Sequence, residues 1–131
     1  MTRENRLAVC AAEAALGDDA LEAAVALLAL SLCNDAVSRA YYAAFHYARA
    51  LLALEGLEPK THRGVVALLA EHIEKAGRIA PGAVSALARL QTFRGLADYD
   101  SSERLDRARA EAEVAAAAQF VETARAILSK P

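Results

Sequence analysis

The 131-residue sequence has no tryptophan, only two cysteines, three prolines and six glycines, and 5% aromatic residues. So few cysteines exclude a disulfide scaffold, and Cys10 and Cys33 form no Cys-x-x-Cys pair or zinc-ligand spacing with histidine. The scarcity of glycine and proline argues against a β-sandwich, which needs a turn signal between each pair of short strands. A hydrophobic content of 56% excludes a disordered chain. Neither charge sign dominates: 15 Lys+Arg against 17 Asp+Glu give a net charge of -2, with a pI near 5.9. A general polyanion binder is usually basic. Contact with nucleic acid therefore needs a local patch, such as Lys60, His62 and Arg63, or arginines gathered by folding. The longest apolar run, Ala23 to Cys33, is broken by Ser31 and falls short of the ~20 residues that span a bilayer, so it reads as a buried helix. No membrane association is expected, no secretion-type leader is apparent, and a reduced, cytoplasmic protein fits best.

What is present is alanine at helical spacing. Alanine is the strongest helix former and lets helices approach closely, so the expected architecture is all-α within one domain spanning residues 1–131. Leu7, Ala8, Ala11, Ala15 and then Leu21, Ala24, Val25, Leu28 recur with helical period on either side of Gly17-Asp18-Asp19, predicting one kinked helix or two. Asn34-Asp35 is a candidate cap for a helix running to about Leu54, with Gly56 as its stop. Thr61 should cap a helix that reaches Gly77, and Ile79-Ala80-Pro81-Gly82 breaks the chain again. The next helix carries Val84, Leu87, Leu90 and Leu96, with Gly95 predicting an end near Asp98. Ser101-Ser102-Glu103 should start the last helix, which extends toward Leu128 with Glu103 and Arg107 as a surface pair.

The most informative stretch is Asp35 to His46. On a helix, Asp35, Arg39, Tyr42, His46 and Arg49 fall on one stripe, and Val37, Ala40, Tyr41, Ala44, Ala48 and Leu51 on another. The polar stripe fits either a partly buried hydrogen-bond network or a groove in which Arg39 and His46 meet phosphate. Thr61-His62-Arg63-Gly64, flanked by Lys60, combines a helix start with basic side chains. It fits either a capped, solvated helix end or an anion site.

Three runs together, Ser38-Arg39-Ala40-Tyr41-Tyr42-Ala43-Ala44-Phe45-His46, Lys60-Thr61-His62-Arg63-Gly64-Val65 and Arg94-Gly95-Leu96-Ala97-Asp98-Tyr99-Asp100, resemble the small stand-alone prokaryotic HEPN-domain proteins. The resemblance extends over roughly Asn5 to Leu128. It implies an up-and-down bundle of four principal helices plus a short extra helix, usually homodimeric. It also implies a place in two-gene modules whose other half is a minimal nucleotidyltransferase, many of them toxin-antitoxin pairs. Nuclease-active members carry an Arg followed after four to six residues by a His, two copies meeting across the dimer to cut RNA without metal. Arg94 matches the first position. The second is not matched, because Tyr99, Asp100 and Ser101 stand there instead of histidine.

In a phosphoryl transfer of this kind an Arg stabilises charge on the phosphoryl oxygens and a group titrating near neutrality moves protons. Unperturbed tyrosine titrates near about 10 and aspartate near about 3.9, so neither substitutes directly for histidine. Arg94, Asp98 and Tyr99 are the candidate catalytic residues, although Arg94 and Asp98, four apart, also fit an intrahelical ion pair. Candidate phosphate- or nucleotide-binding residues are Arg39, Tyr42, His46, Lys60, His62 and Arg63, and His46 or His62 would have to reach Arg94 to replace the absent histidine. Metal and cofactor chemistry find no signature. The residues three before His46, His62 and His72 are Ala43, Pro59 and Leu69, so a di-metal Glu-x-x-His bundle is excluded, and neither a glycine-rich phosphate loop nor a nucleophile elbow occurs. Expected partners are a second copy of the chain, a minimal nucleotidyltransferase, and RNA or a nucleotide. The alternatives are a non-catalytic nucleotide- or substrate-binding module and a structural dimerisation bundle.

Overall fold

Thr2 begins the first helix by turning its hydroxyl onto the backbone N–H of Asn5 at 3.0 Å, satisfying one of the N-terminal donors a helix leaves open. The computed structural model describes residues 2–99 and 104–130, with the side chains of Ala97, Asp98 and Tyr99 outside the described set. Five α-helices are present: α1 Arg3–Ala29, α2 Cys33–Leu54, α3 His62–Leu69, α4 Ala83–Tyr99 and α5 Arg107–Leu128, with a π-helical turn Ala70–Glu74 continuing α3. There is no strand among the described residues. This is the all-α arrangement of four long helices and one short one.

Contacts between neighbours fix the up-and-down order. Along α1 and α2, Cys10 Sγ bonds Ala50 O at 3.2 Å, Glu13 meets His46, and the Gly17 backbone lies against Ala43 and Tyr47. One residue number rises as the other falls, so the pair is antiparallel. The same relation holds for α4 and α5, where Arg89 pairs with Glu113 and Arg109 lies over Phe93. Helix α2 is the centre of the bundle: thirteen of its 22 residues are buried, and it packs against each of the other helices. Leu51, Leu52, Leu69, Ile73, Leu87, Leu90 and Val121 fill the core around it. Each fully buried side chain of this size contributes roughly 1.5–3 kcal/mol.

Helix α1 is continuous through Gly17-Asp18-Asp19. Gly17 is buried, and a Cβ there would lie 2.5 Å from Tyr47 Cδ2. Glycine at this point admits the Tyr47 ring rather than breaking the helix.

The expected cap at Asn34-Asp35 is not formed. Leu32 precedes the first turn of α2 without a side-chain cap, and the Asn34 amide oxygen instead accepts from Leu105 N at 2.9 Å, tying the approach to α5 onto α2. Gly56 does end α2, at φ +76°, where its lack of a Cβ removes the steric cost. Thr61 caps α3, its Oγ1 accepting from Gly64 N at 3.0 Å. That helix turns π-helical at Ala70, with Lys75 N bonding Ala70 O at 2.9 Å, and does not continue as α-helix to Gly77.

The last helix starts later than expected. Asp106 caps it by accepting from Arg109 N at 2.7 Å, and Ser101, Ser102 and Glu103 lie outside the described residues, as does the expected Glu103–Arg107 pair. Arg107 pairs forward with Glu111 at 2.8 Å. It also donates to Leu28 O and Ser31 Oγ, capping the C-terminus of α1, which has no basic residue in its own last turn.

Candidate functional site: an arginine-aromatic cluster on the central helix

Residues four apart on α2 stack along one face, and the two stripes expected there are present. Val37, Ala40, Tyr41, Ala44, Ala48 and Leu51 are buried, while Tyr42, His46 and Arg49 are half-buried and Arg39 is exposed. The Arg39 guanidinium lies 4.7 Å from the Tyr42 ring centre. Arg39, Tyr42 and His46 line an open groove of about 360 Å³ with Leu16, Asp19 and Ala23 of α1.

Helix α4 brings Arg94 to the other side of the same aromatics. Its Cζ is 5.2 Å from the centre of Tyr41 and 5.5 Å from that of Tyr42, its Nη1 donates to Tyr42 Oη at 3.3 Å, and its Nε donates to Gln91 Oε1 at 3.2 Å. An arginine over an aromatic face gains from the ring quadrupole while keeping N–H groups directed outward from the plane.

The start of α3 closes the cluster. His62 Nδ1 lies 2.9 Å from the Tyr41 hydroxyl, and the Phe45 ring stacks on both Tyr41 and His62, at 5.6 and 6.2 Å between centres. Arg94, Tyr42, Tyr41 and His62 are thus assembled from three helices, with Tyr41 as the shared element.

Burial pushes the Tyr41 hydroxyl up to about 12, outweighing the opposing pull of the nearby Arg94 charge. Burial, and then the Arg94 charge, hold His62 below its ordinary value of 6.5. Both groups are therefore uncharged at neutral pH.

The other sequence-singled residues divide. His46 is drawn toward α1, its Nδ1 2.8 Å from Glu13 Oε2, and Arg49 Nε reaches the other oxygen of Glu13 at 3.4 Å. His46 thus sits in the groove on the α1 side, and its described polar partner is Glu13. Lys60 and Arg63 are exposed beside the α3 start. Asp98 and Tyr99 belong to the last turn of α4, but their side chains, and any Arg94–Asp98 pair, lie outside the described residues.

By sequence Tyr41 falls on the core stripe, and Glu13, the partner of His46 in the groove, carries no signal in an alanine-rich helix. A buried tyrosine hydroxyl requires a polar partner, which is the signal that pointed beyond packing. Among the described residues no group of three or more His, Cys, Asp or Glu is arranged to hold a metal ion, and no helix is long and apolar enough to cross a membrane.

The HEPN domain model matches residues 16–127, from the middle of α1 nearly to the end of α5. The chain belongs to the HEPN-domain family. Among curated relatives, a protein of Methanocaldococcus jannaschii named "Putative toxin" is 32% identical over 88% of this chain and 85% of its own length. A UPF0332 protein of Gloeobacter violaceus is 32% identical over 86% of this chain and 90% of its own. A UPF0332 protein of Pyrococcus horikoshii is 40% identical over 47% of this chain, a match that spans 44% of that relative's length. The family match agrees with the all-helical architecture and with the resemblance carried by the three motifs.

Proposed function

We propose that this HEPN chain is the toxin-like half of a two-protein module whose other half is a minimal nucleotidyltransferase, that it acts as a homodimer, and that the Arg94 cluster is where RNA is engaged and cut without metal. The observation that carries this reading is the placement of Arg94 on the Tyr41 and Tyr42 rings, within a cluster that also holds His62. A guanidinium so positioned suits the charge that develops on phosphoryl oxygens during attack by a 2′-hydroxyl. The name carried by the Methanocaldococcus relative supports the toxin-like assignment. Arg94 contacts phosphate, Asp98 orients it, and Tyr99 supplies a hydroxyl or is modified by the partner. Arg39, Tyr42 and His46 form the adjoining groove, Lys60 and Arg63 extend the positive rim, and the neutral His62 adds a phosphate contact beside them.

The test is incubation of the purified protein with mixed RNA in the presence of a chelator, wild type against Arg94→Ala. Cleavage by the wild type alone supports the reading. Absence of cleavage by both removes it. Co-purification with the nucleotidyltransferase and a light-scattering mass address the two assembly claims.

A second reading has its own support. No histidine follows Arg94 at the family spacing, which favours a non-catalytic module that binds a nucleotide or presents substrate to the nucleotidyltransferase. Under it, nucleotides raise the melting temperature of the folded chain by mass action and RNA remains intact.

A further inference from the structure

Tyr41 is 4% exposed, and the partner of its hydroxyl among the described residues is His62 Nδ1 at 2.9 Å. The contact has two possible senses. Were Nδ1 to carry the proton, it would donate to the tyrosine oxygen and leave the buried phenolic hydrogen without an acceptor. With the hydroxyl donating, both groups are satisfied. The neutral imidazole therefore accepts at Nδ1 and carries its hydrogen on Nε2, as a hydrogen bond to one ring nitrogen sets the state of the other.

Nε2 has no partner among the described residues. The ring is half-buried and held in plane by Phe45 at an interplanar angle of 24°. Arg94 lies over the ring of the same Tyr41. His62 also occupies the first turn of α3, where the helix end adds positive partial charge.

We propose that the Nε2–H of His62 and the guanidinium of Arg94, both held by Tyr41, form a two-donor clamp for the non-bridging oxygens of an RNA phosphodiester. This deepens the functional reading above and rests on Arg94 meeting phosphate. His62 is a phosphate-contacting donor in this arrangement, and Tyr41 is the positioning residue that keeps the donor on the outer nitrogen. Burial and the neighbouring Arg94 charge favour the uncharged ring, so the clamp needs no protonation of His62 to work.

The probe is a 2′-O-methyl RNA oligonucleotide of mixed sequence, which binds but cannot be cut by its own 2′-oxygen. His62→Phe keeps a ring for Phe45 and removes the donor; His62→Gln keeps an amide N–H near the Nε2 position. Arg94→Ala and His62→Phe are each expected to weaken binding by about tenfold or more, with His62→Gln within about threefold of wild type.

Nitrogen-detected NMR of the wild type should show the Nε2–H form of His62, and Tyr41→Phe should release a mixture of the two forms. A Nδ1–H form in the wild type, or unchanged probe binding by His62→Phe while Arg94→Ala weakens it, overturns the clamp and leaves the Arg94 reading in place. Failure of the wild type to bind the probe overturns both. Thermal melts of each variant establish that it is folded before its binding is compared.

Discussion

Helix α2 presents two tyrosines, six residues apart, to two arginines on different helices, and their hydroxyls end in opposite situations. Tyr47 donates to Asp18 Oδ1 at 2.5 Å and accepts from Arg125 Nε at 3.1 Å, while Arg125 and Asp18 pair directly. Charge and hydrogen bonds close on themselves between α1, α2 and α5. Tyr41 meets a neutral imidazole instead, under an arginine, and that imidazole has a second nitrogen turned to no described partner. The first arrangement joins helices. The second leaves a ring nitrogen with no described partner, and the difference is the partner of the hydroxyl rather than the tyrosine itself.

Experiments that separate the two regions follow in order of expected effect. Arg94→Ala should lower metal-independent RNA cleavage by about 10²–10³-fold, the usual cost of removing one donor from a developing oxyanion, with little change in the denaturation midpoint. A large loss of stability with unchanged cleavage would show that the Arg94 cluster is another helix lock. Gly17→Ala acts on the other region: a Cβ 2.5 Å from Tyr47 Cδ2 forces that ring to move, and overpacking of this kind costs about 1–3 kcal/mol in urea denaturation. Tyr47→Phe removes the hydroxyl's two hydrogen bonds, to Asp18 and from Arg125, and should cost about 1–3 kcal/mol while leaving cleavage unaltered. An activity loss from either Gly17→Ala or Tyr47→Phe would erase the difference between the two regions.

The smallest expected effect concerns acid stability, and it falls in two separate pH windows. For His62 the folded state favours the neutral ring, so its stabilisation is complete above the ordinary value of 6.5 and is lost as pH falls below it toward the depressed folded value. Burial draws the Asp18 carboxyl upward, but hydrogen bonds from Tyr47 and Arg125, and the Arg125 charge, outweigh it and leave the group below 3.8. Its contribution is therefore present above 3.8 and disappears only at lower pH. Asp18 is half-exposed, so solvent screens much of that pair. Urea midpoints measured across both windows should lose their upper slope in His62→Gln and their lower one in Asp18→Asn. The reverse assignment would contradict the two environments.

Much of the architecture was legible because it depends on period and punctuation. Alanine-rich helical spacing specified the class, Gly56 and the Thr61 cap specified boundaries, and three motifs pointed to the HEPN family. By sequence Gly17-Asp18-Asp19 fits a kink or a break, because a glycine lowers helix propensity locally. Its actual reason lies on another helix, in the ring of Tyr47. Asn34 likewise had a local capping chemistry available, and a distant backbone N–H at Leu105 claimed it.

The site divides in the same manner. Arg39, Tyr42, His46, His62 and Arg94 could be named from residue type and motif, and the two-faced helix α2 followed from the 3.6-residue repeat. Which histidine shares a ring with Arg94 could not. His46 and His62 are equivalent as residue types, and only the packing of α1 and α3 on α2 gives Glu13 to the first and Tyr41 to the second. Local covalent order sets helices and faces because their repeat is short. The pairing of side chains from different helices depends on distances that the chain acquires only when those helices dock.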